Sequence, residues 1–166
     1  MATPLQDLFD KYTARLTEQG FTFERTDFGR PWGGFFVIDE AQAPAFIERY
    51  FPGLKSDDLI GGRKVSPKIL VVAPGKRLSW QYHHRREEVW RVVEGPVAVA
   101  HGPDDEQPSP LTYDTGRTIV LSKGERHRLI GLDAPGIVAE IWQHTDPTHP
   151  SDEEDIVRLQ DDFGRG

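Results

Sequence analysis

The sequence has no cysteine among its 166 residues, so neither a disulfide framework nor a thiolate site is available to it. Long hydrophobic runs are also missing. No apolar stretch approaches the roughly 20 residues of a membrane-spanning helix, so no membrane partner is expected. Residues 1–12 lack the basic and apolar regions of a secretory signal, and a cytoplasmic location is the resulting expectation. Positive charge is scarce too. The 20 Lys and Arg stand against 27 Asp and Glu, for a net charge of −7. That balance argues against a broad nucleic-acid-binding surface. A small anionic ligand needs only a local group of Arg and Lys, and stays open.

Turn formers are plentiful: 16 Gly and 13 Pro punctuate many short β-branched runs. Together they predict an all-β chain, at this length one domain with a real core. Before the strands, Thr3 and Pro4 can start a helix, and Leu5, Leu8, Phe9, Tyr12 and Leu16 recur at helical spacing until Gly20. A strand is expected over 21–28. An Arg-Pro-Trp-Gly-Gly turn follows at Arg30–Gly34, then a second strand over 35–38. Residues 41–60 carry a short helical pattern broken at Pro52-Gly53. Strands are then predicted over 68–72, 78–83, 88–93, 97–100, 111–113, 118–121, 126–130 and 137–142, the pattern of a sandwich or small barrel. Residues 102–110 read as an exposed, mobile loop. Residues 151–166 read as a solvated acidic end with one short strand over 156–159.

The stretch 74–95 concentrates the chemistry. Residues two apart on a strand share a face, so Gln81 and His83 point one way, and Glu88 and Trp90 share a face of the next strand. If the two strands pair as a hairpin around 85–87, Gln81, His83 and Glu88 converge. Amide oxygen, imidazole nitrogen and carboxylate oxygen are ligands for Zn, Mn, Fe or Co, and His127 is the candidate fourth ligand. The bland alternatives are a solvated hairpin tip for 83–88 and an ordinary packed histidine at 127.

Further motifs extend the pattern. Pro74-Gly75-x-Arg77-Leu78-Ser79-x-Gln81-x-His83-His84, then Arg86-x-Glu88-x-Trp90-x-Val92-Val93-x-Gly95, resembles the type II mannose-6-phosphate isomerases. Arg30-Pro31-Trp32-Gly33, Lys123 to Arg128, Glu154-Asp155-Ile156-Val157-Arg158 and Phe163-Gly164-Arg165 resemble further family motifs in the same order. The resemblance implies a cupin double-stranded β-helix, a jelly-roll barrel. It would span residues 29–166, behind an N-terminal helix and strand extension at 1–28, with a short helical insertion.

The resemblance also implies a metal-dependent aldose–ketose isomerase that interconverts mannose 6-phosphate and fructose 6-phosphate. Its partner would be a small-molecule sugar or sugar phosphate, and a homodimer is a further implication. Under this reading Gln81, His83, Glu88 and His127 hold a divalent metal. Lys68, Glu140 and Arg128 are the candidate catalytic residues. Arg30, Arg86 and Trp90 are the candidate substrate contacts, with Arg128 and Lys68 as further phosphate candidates. Three departures stand out. His83-His84-Arg85 replaces a run of three His, leaving Gln81 and His83 as the expected ligand pair. Residues 41–65 read as an insertion outside the compact family pattern. No glycine-rich nucleotidyltransferase segment is present, so sugar-nucleotide synthesis is not expected of this chain. The alternatives are an isomerase of another sugar (lyxose, mannose, a heptose) and a non-catalytic sugar-binding cupin.

Overall fold

The short strands assemble into two facing antiparallel sheets in the computed structural model, which describes residues 4–60, 65–145, 148, 151 and 155–162. After helix α1 (Pro4–Glu18) come β1 (Phe23–Arg30) and β2 (Gly33–Ile38), a 3-10 turn, and helices α2 (Ala43–Tyr50) and α3 (Ser56–Ile60). Nine strands follow: β3 (Val65–Val72), β4 (Trp80–Tyr82), β5 (Arg86–Glu94), β6 (Val97–Gly102), β7 (Leu111–Tyr113), β8 (Thr118–Leu121), β9 (Arg126–Ile130), β10 (Gly136–His144) and β11 (Val157–Gln160). One sheet has the order β1-β2-β3-β10-β5-β8, the other β11-β4-β9-β6-β7. This is the expected jelly-roll sandwich with its N-terminal helix. Among the described residues no helix is long and apolar enough to cross a membrane.

The six-stranded sheet is covered on both faces, which is why every residue of β10 is buried. Ile137, Ala139 and Ile141 join Ile69, Val71, Val89 and Phe36 under the helices. There α1 contributes Phe9, Tyr12 and Leu16, and α2 contributes Phe46, Ile47 and Tyr50, each set at helical spacing. The alternate residues face the other sheet, where Val138, Leu70, Val72 and Val92 pack against Val97, Val99 and Leu129. The turn at Pro31-Trp32 needs a glycine after it. Gly33 has φ +146°, and a Cβ there would lie 2.0 Å from the Val71 carbonyl oxygen.

Two expectations need correction. The strands over 78–83 and 88–93 do not form a hairpin: β4 pairs with β9 and β11, whereas β5 pairs with β10 and β8. The link between them is used by other elements. His83 O accepts from the Gly124 amide and Arg85 O from the Thr145 amide, both at 3.0 Å. The His84 and Arg85 amides each donate to the Asp155 carboxylate at 2.9 Å. The chain therefore crosses from one sheet to the other. The acidic tail is also not simply solvated. Ser151 and Asp155 are buried, and β11 adds to the edge of β4. The loop 102–110 is exposed as expected but tethered, since Asp105 O accepts from Trp80 Nε1 at 2.8 Å and its carboxylate pairs with Arg126. Thr3, Glu154 and the 163–165 motif lie outside the described residues.

Candidate metal centre and adjoining cavity

Cross-strand register lays the polar residues in rows on the inner face of the six-stranded sheet. Glu140 lies opposite Lys68 on one side and Trp90 on the other. In the next row Trp142 lies between Ser66 and Glu88, and beyond it His144 is opposite Arg86. On the facing sheet Arg158, Gln81, His127 and His101 form a comparable row across β11, β4, β9 and β6. Directly opposed residues share a face. The rows therefore meet across the sandwich, not along one ladder.

His83, Glu88 and His127 offer ligand atoms within 4.8 Å of one another, all buried. Each histidine has an assigned tautomer. His83 Nδ1 lies 2.6 Å from Asp155 O, and His127 Nδ1 lies 3.1 Å from Glu125 O. A carbonyl only accepts, so Nδ1 carries the proton and Nε2 keeps its lone pair. Glu125 is itself held, its carboxylate accepting from His101 Nδ1 at 2.7 Å and the Ser122 amide at 2.9 Å.

His127 Nε2 and Glu88 Oε2 lie 2.9 Å apart, yet no hydrogen bond joins them or reaches either atom. Two buried acceptors facing each other in this way are costly without a cation between them. The donor set fits a divalent metal. Arg86 supplies positive charge on the other side, its guanidinium 3.0 Å from His83 Nε2 and 3.3 Å from Glu88 Oε1. Burial pushes the His83 imidazole down to about 3, with Arg86 and His127 adding to the effect, so it is neutral and its Nε2 accepts from Arg86. Burial opposes ionisation of Glu88, but the pull of His127, followed by that of the Arg86 guanidinium, holds it below the usual carboxylate range.

A cavity adjoins these groups, lined by Lys68, Gln81, Arg86, Glu88, Glu140 and Arg158 among others. Glu140 accepts from Trp90 Nε1 at 2.8 Å and from Trp142 Nε1 at 2.6 Å. Its burial and the nearby Glu88 charge push its carboxyl up to about 7, against the pull of Lys68 and Arg86. The Trp142 ring carries Lys68 Nζ at 3.6 Å and the Arg86 guanidinium at 3.4 Å from its centroid. Arg30 stands at the rim, paired with Asp27 at 2.9 Å.

Nine of the ten expected site residues gather here. Three are the His/Glu group, and Gln81, Lys68, Glu140, Arg86, Arg30 and Trp90 line the cavity. Gln81 Oε1 also accepts from Ser79 Oγ at 2.7 Å. Arg128 is the exception. It lies on the opposite face of β9, fully buried, donating to Leu78 O at 2.7 Å and Gln160 Oε1 at 2.7 Å. The same alternation that turns His127 inward turns Arg128 away. Residue-by-residue reading missed Trp142 and Arg158, although Arg158 sits in the Ile156-Val157-Arg158 motif and in register with Gln81.

Comparisons with known proteins agree with this architecture. Residues 44–161 match the family described as mannose-6-phosphate isomerase C-terminal. That match takes in residues 44–60, so most of the described part of segment 41–65 lies inside the family pattern, contrary to expectation. Xanthan biosynthesis protein XanB of Xanthomonas campestris pv. campestris is 34% identical over 137 residues, 82% of this chain and 23% of that protein. Alginate biosynthesis protein AlgA of Pseudomonas aeruginosa is 35% identical, over 82% of this chain and 22% of that protein. Mannose-1-phosphate guanylyltransferase ManC of Salmonella typhimurium is 30% identical, over 71% of this chain and 23% of that protein. The chain thus spans less than a quarter of the length of these curated relatives. Among solved structures, Lactobacillus farciminis oxalate decarboxylase superposes with a TM-score of 0.54 at 16% identity, over 81% of this chain and 33% of that one. Tomato vicilin gives 0.54 at 19% identity, over 78% and 33%. These two likenesses show the fold. The chain belongs to the mannose-6-phosphate isomerase C-terminal family and has its cupin-type jelly roll.

Proposed function

We propose that the chain is a metal-dependent aldose–ketose isomerase that interconverts mannose 6-phosphate and fructose 6-phosphate through an enediol. One juxtaposition carries the reading: a buried cation position between Glu88 Oε2 and His127 Nε2 adjoins a cavity that holds a carboxyl poised near neutrality, Glu140. Gln81, His83, Glu88 and His127 would hold a divalent ion such as Zn, Mn, Fe or Co, which polarises the sugar's carbonyl and hydroxyl oxygens.

The chain's own residues do the rest. Glu140 takes the proton from C2 and returns it at C1, a task suited to a group that titrates close to the working pH. Trp90 and Trp142 fix its carboxylate by one N–H bond each. Lys68, opposite it in the sheet, keeps the ionised form accessible despite burial. Arg30 at the rim and Arg158 in the cavity wall offer forked donors for the phosphate.

Proton NMR of mannose 6-phosphate with the full chain tests the proposal. Fructose 6-phosphate should appear with added metal and stop appearing after chelation or in H127A. No turnover with any divalent ion would overturn the assignment. Turnover of free mannose, lyxose or a heptose at comparable kcat/KM would move the substrate to another sugar.

A further inference from the structure

We propose that Asp155 is a positioning residue for the metal centre, and that the C-terminal segment carrying it is part of that centre. The inference rests on the reading of His83, Glu88 and His127 as metal ligands. It concerns a residue that does not line the cavity and touches no substrate position.

Asp155 acts through two groups at once. Its carbonyl oxygen accepts from His83 Nδ1 at 2.6 Å, which sets the tautomer and leaves Nε2 unprotonated, within 4.8 Å of the Glu88 and His127 ligand atoms and accepting from Arg86 at 3.0 Å. Its carboxylate accepts from the His84 and Arg85 amides at 2.9 Å each, and from Ser151 Oγ at 2.6 Å. Those amides belong to the link that carries the chain from β4 to β5. His83 is the first residue of this link, directly after β4, and Glu88 lies on β5 of the other sheet, so the conformation of the link decides whether their ligand atoms meet. Asp155 fixes the link and the ring together, and it is 98% buried while doing so.

Further contacts hold the segment in place. Val157 and Arg158 pair with Tyr82 and Gln81. Arg128 donates to both the side chain and the carbonyl of Gln160, and Arg77 pairs with Asp162 at 2.5 Å. The role of Arg128 is thus to dock β11. Coupling is reciprocal: whatever docks the segment favours the ligand geometry, and metal binding must favour docking by the same factor.

The test titrates metal-free full-length protein with Co(II) against a chelating indicator, in wild type, D155A, D155N and R77A. Histidine tautomers are read by nitrogen NMR before metal is added. D155A should bind Co(II) roughly 10–100-fold more weakly, the range for loss of a group that orients a ligand. Its His83 signal should change from the single Nδ1–H tautomer to a mixture. D155N keeps one oxygen acceptor and should fall between D155A and wild type. R77A removes only an exposed ion pair at the far end of the segment, which contributes little to its docking, and should lower affinity by no more than about twofold. Wild-type affinity together with an unchanged His83 tautomer in D155A would overturn the proposal. If D155A does not fold, the same result in D155N overturns it. Failure of wild type to bind Co(II) would overturn the metal reading and this inference with it. Wild type that binds Co(II) but does not isomerise the sugar phosphate would overturn only the isomerase reading.

Discussion

The two faces of β10 are made of alternating residues of one strand, and they serve opposite ends. Ile137, Ala139 and Ile141 face α1 and α2 in a largely apolar layer, and Gln143, next on that face, is buried with them. Val138, Glu140, Trp142 and His144 face the other sheet, and beyond Val138 every one carries a polar group. The outer face gains its stability mainly from apolar burial. The inner face holds ionisable groups in a low-dielectric space, where their energies depend on one another. The same burial that stabilises Ile141 raises the carboxyl of Glu140 toward neutrality and drives the proton off His83. Stability and shifted protonation here come from one desolvation effect, applied to different side chains.

Four experiments sharpen that contrast. The largest effect is expected on the inner face. E140Q should lower the isomerisation rate by roughly 10²–10⁴-fold, the range for loss of a proton-transfer group, while far-UV circular dichroism and Co(II) affinity stay as in wild type. An unchanged rate would remove Glu140 from the reaction. On the outer face, F46A should destabilise the fold by about 3–5 kcal/mol in denaturant titrations. The kcat/KM of the molecules still folded should be unaltered.

The third concerns pH in the metal-free protein. Glu140 binds its proton more tightly folded than unfolded. Its contribution to stability is therefore complete below the ordinary carboxylate value of 4.5 and is lost as pH rises to about 7. His83 has the opposite sign: the unfolded ring takes up a proton below 6.5 while the folded one resists until about 3, so stability rises with pH in that window. The two trends oppose each other from 4.5 to 6.5 in wild type. E140Q removes one of them, so its stability relative to wild type should climb by roughly 3 kcal/mol between pH 4.5 and 7. Chemical denaturation at both pH values measures the difference. A parallel pair of pH profiles would mean that burial does not perturb Glu140. The smallest effect belongs to the surface: Val120→Thr, at a site 61% exposed on β8, should change stability by less than about 0.5 kcal/mol.

Much of this was legible in local pattern. The periods of β7, β8 and β9 predict the observed strands residue for residue, and the helical spacing of Phe9, Tyr12 and Leu16 predicts the buried stripe of α1. The metal-ligand candidates could be named because period 2 puts Gln81 with His83 and turns His127 away from its arginine neighbours. The route by which they meet could not. A hairpin between 78–83 and 88–93 satisfies the same alternation, and the structure rejects it because distant groups, Asp155, Gly124 and Thr145, claim the hydrogen bonds of the link. The same limit applies to the tail. Its acidic composition suggests solvation, yet Asp155 is buried because two backbone amides and a hydroxyl partner it.

Local sequence carries the strand periods, the turn positions, the inventory of donors and, through its motifs, the family. Those properties reside in neighbouring residues and need no knowledge of what lies across the core. Which residues share the site follows from how the two sheets pack. That packing places Arg158 in the cavity and Arg128 outside it, raises Glu140, and leaves Glu88 Oε2 and His127 Nε2 facing each other. Burial and electrostatic coupling depend on distances between residues far apart in the chain, and those distances are set when the two sheets close on each other.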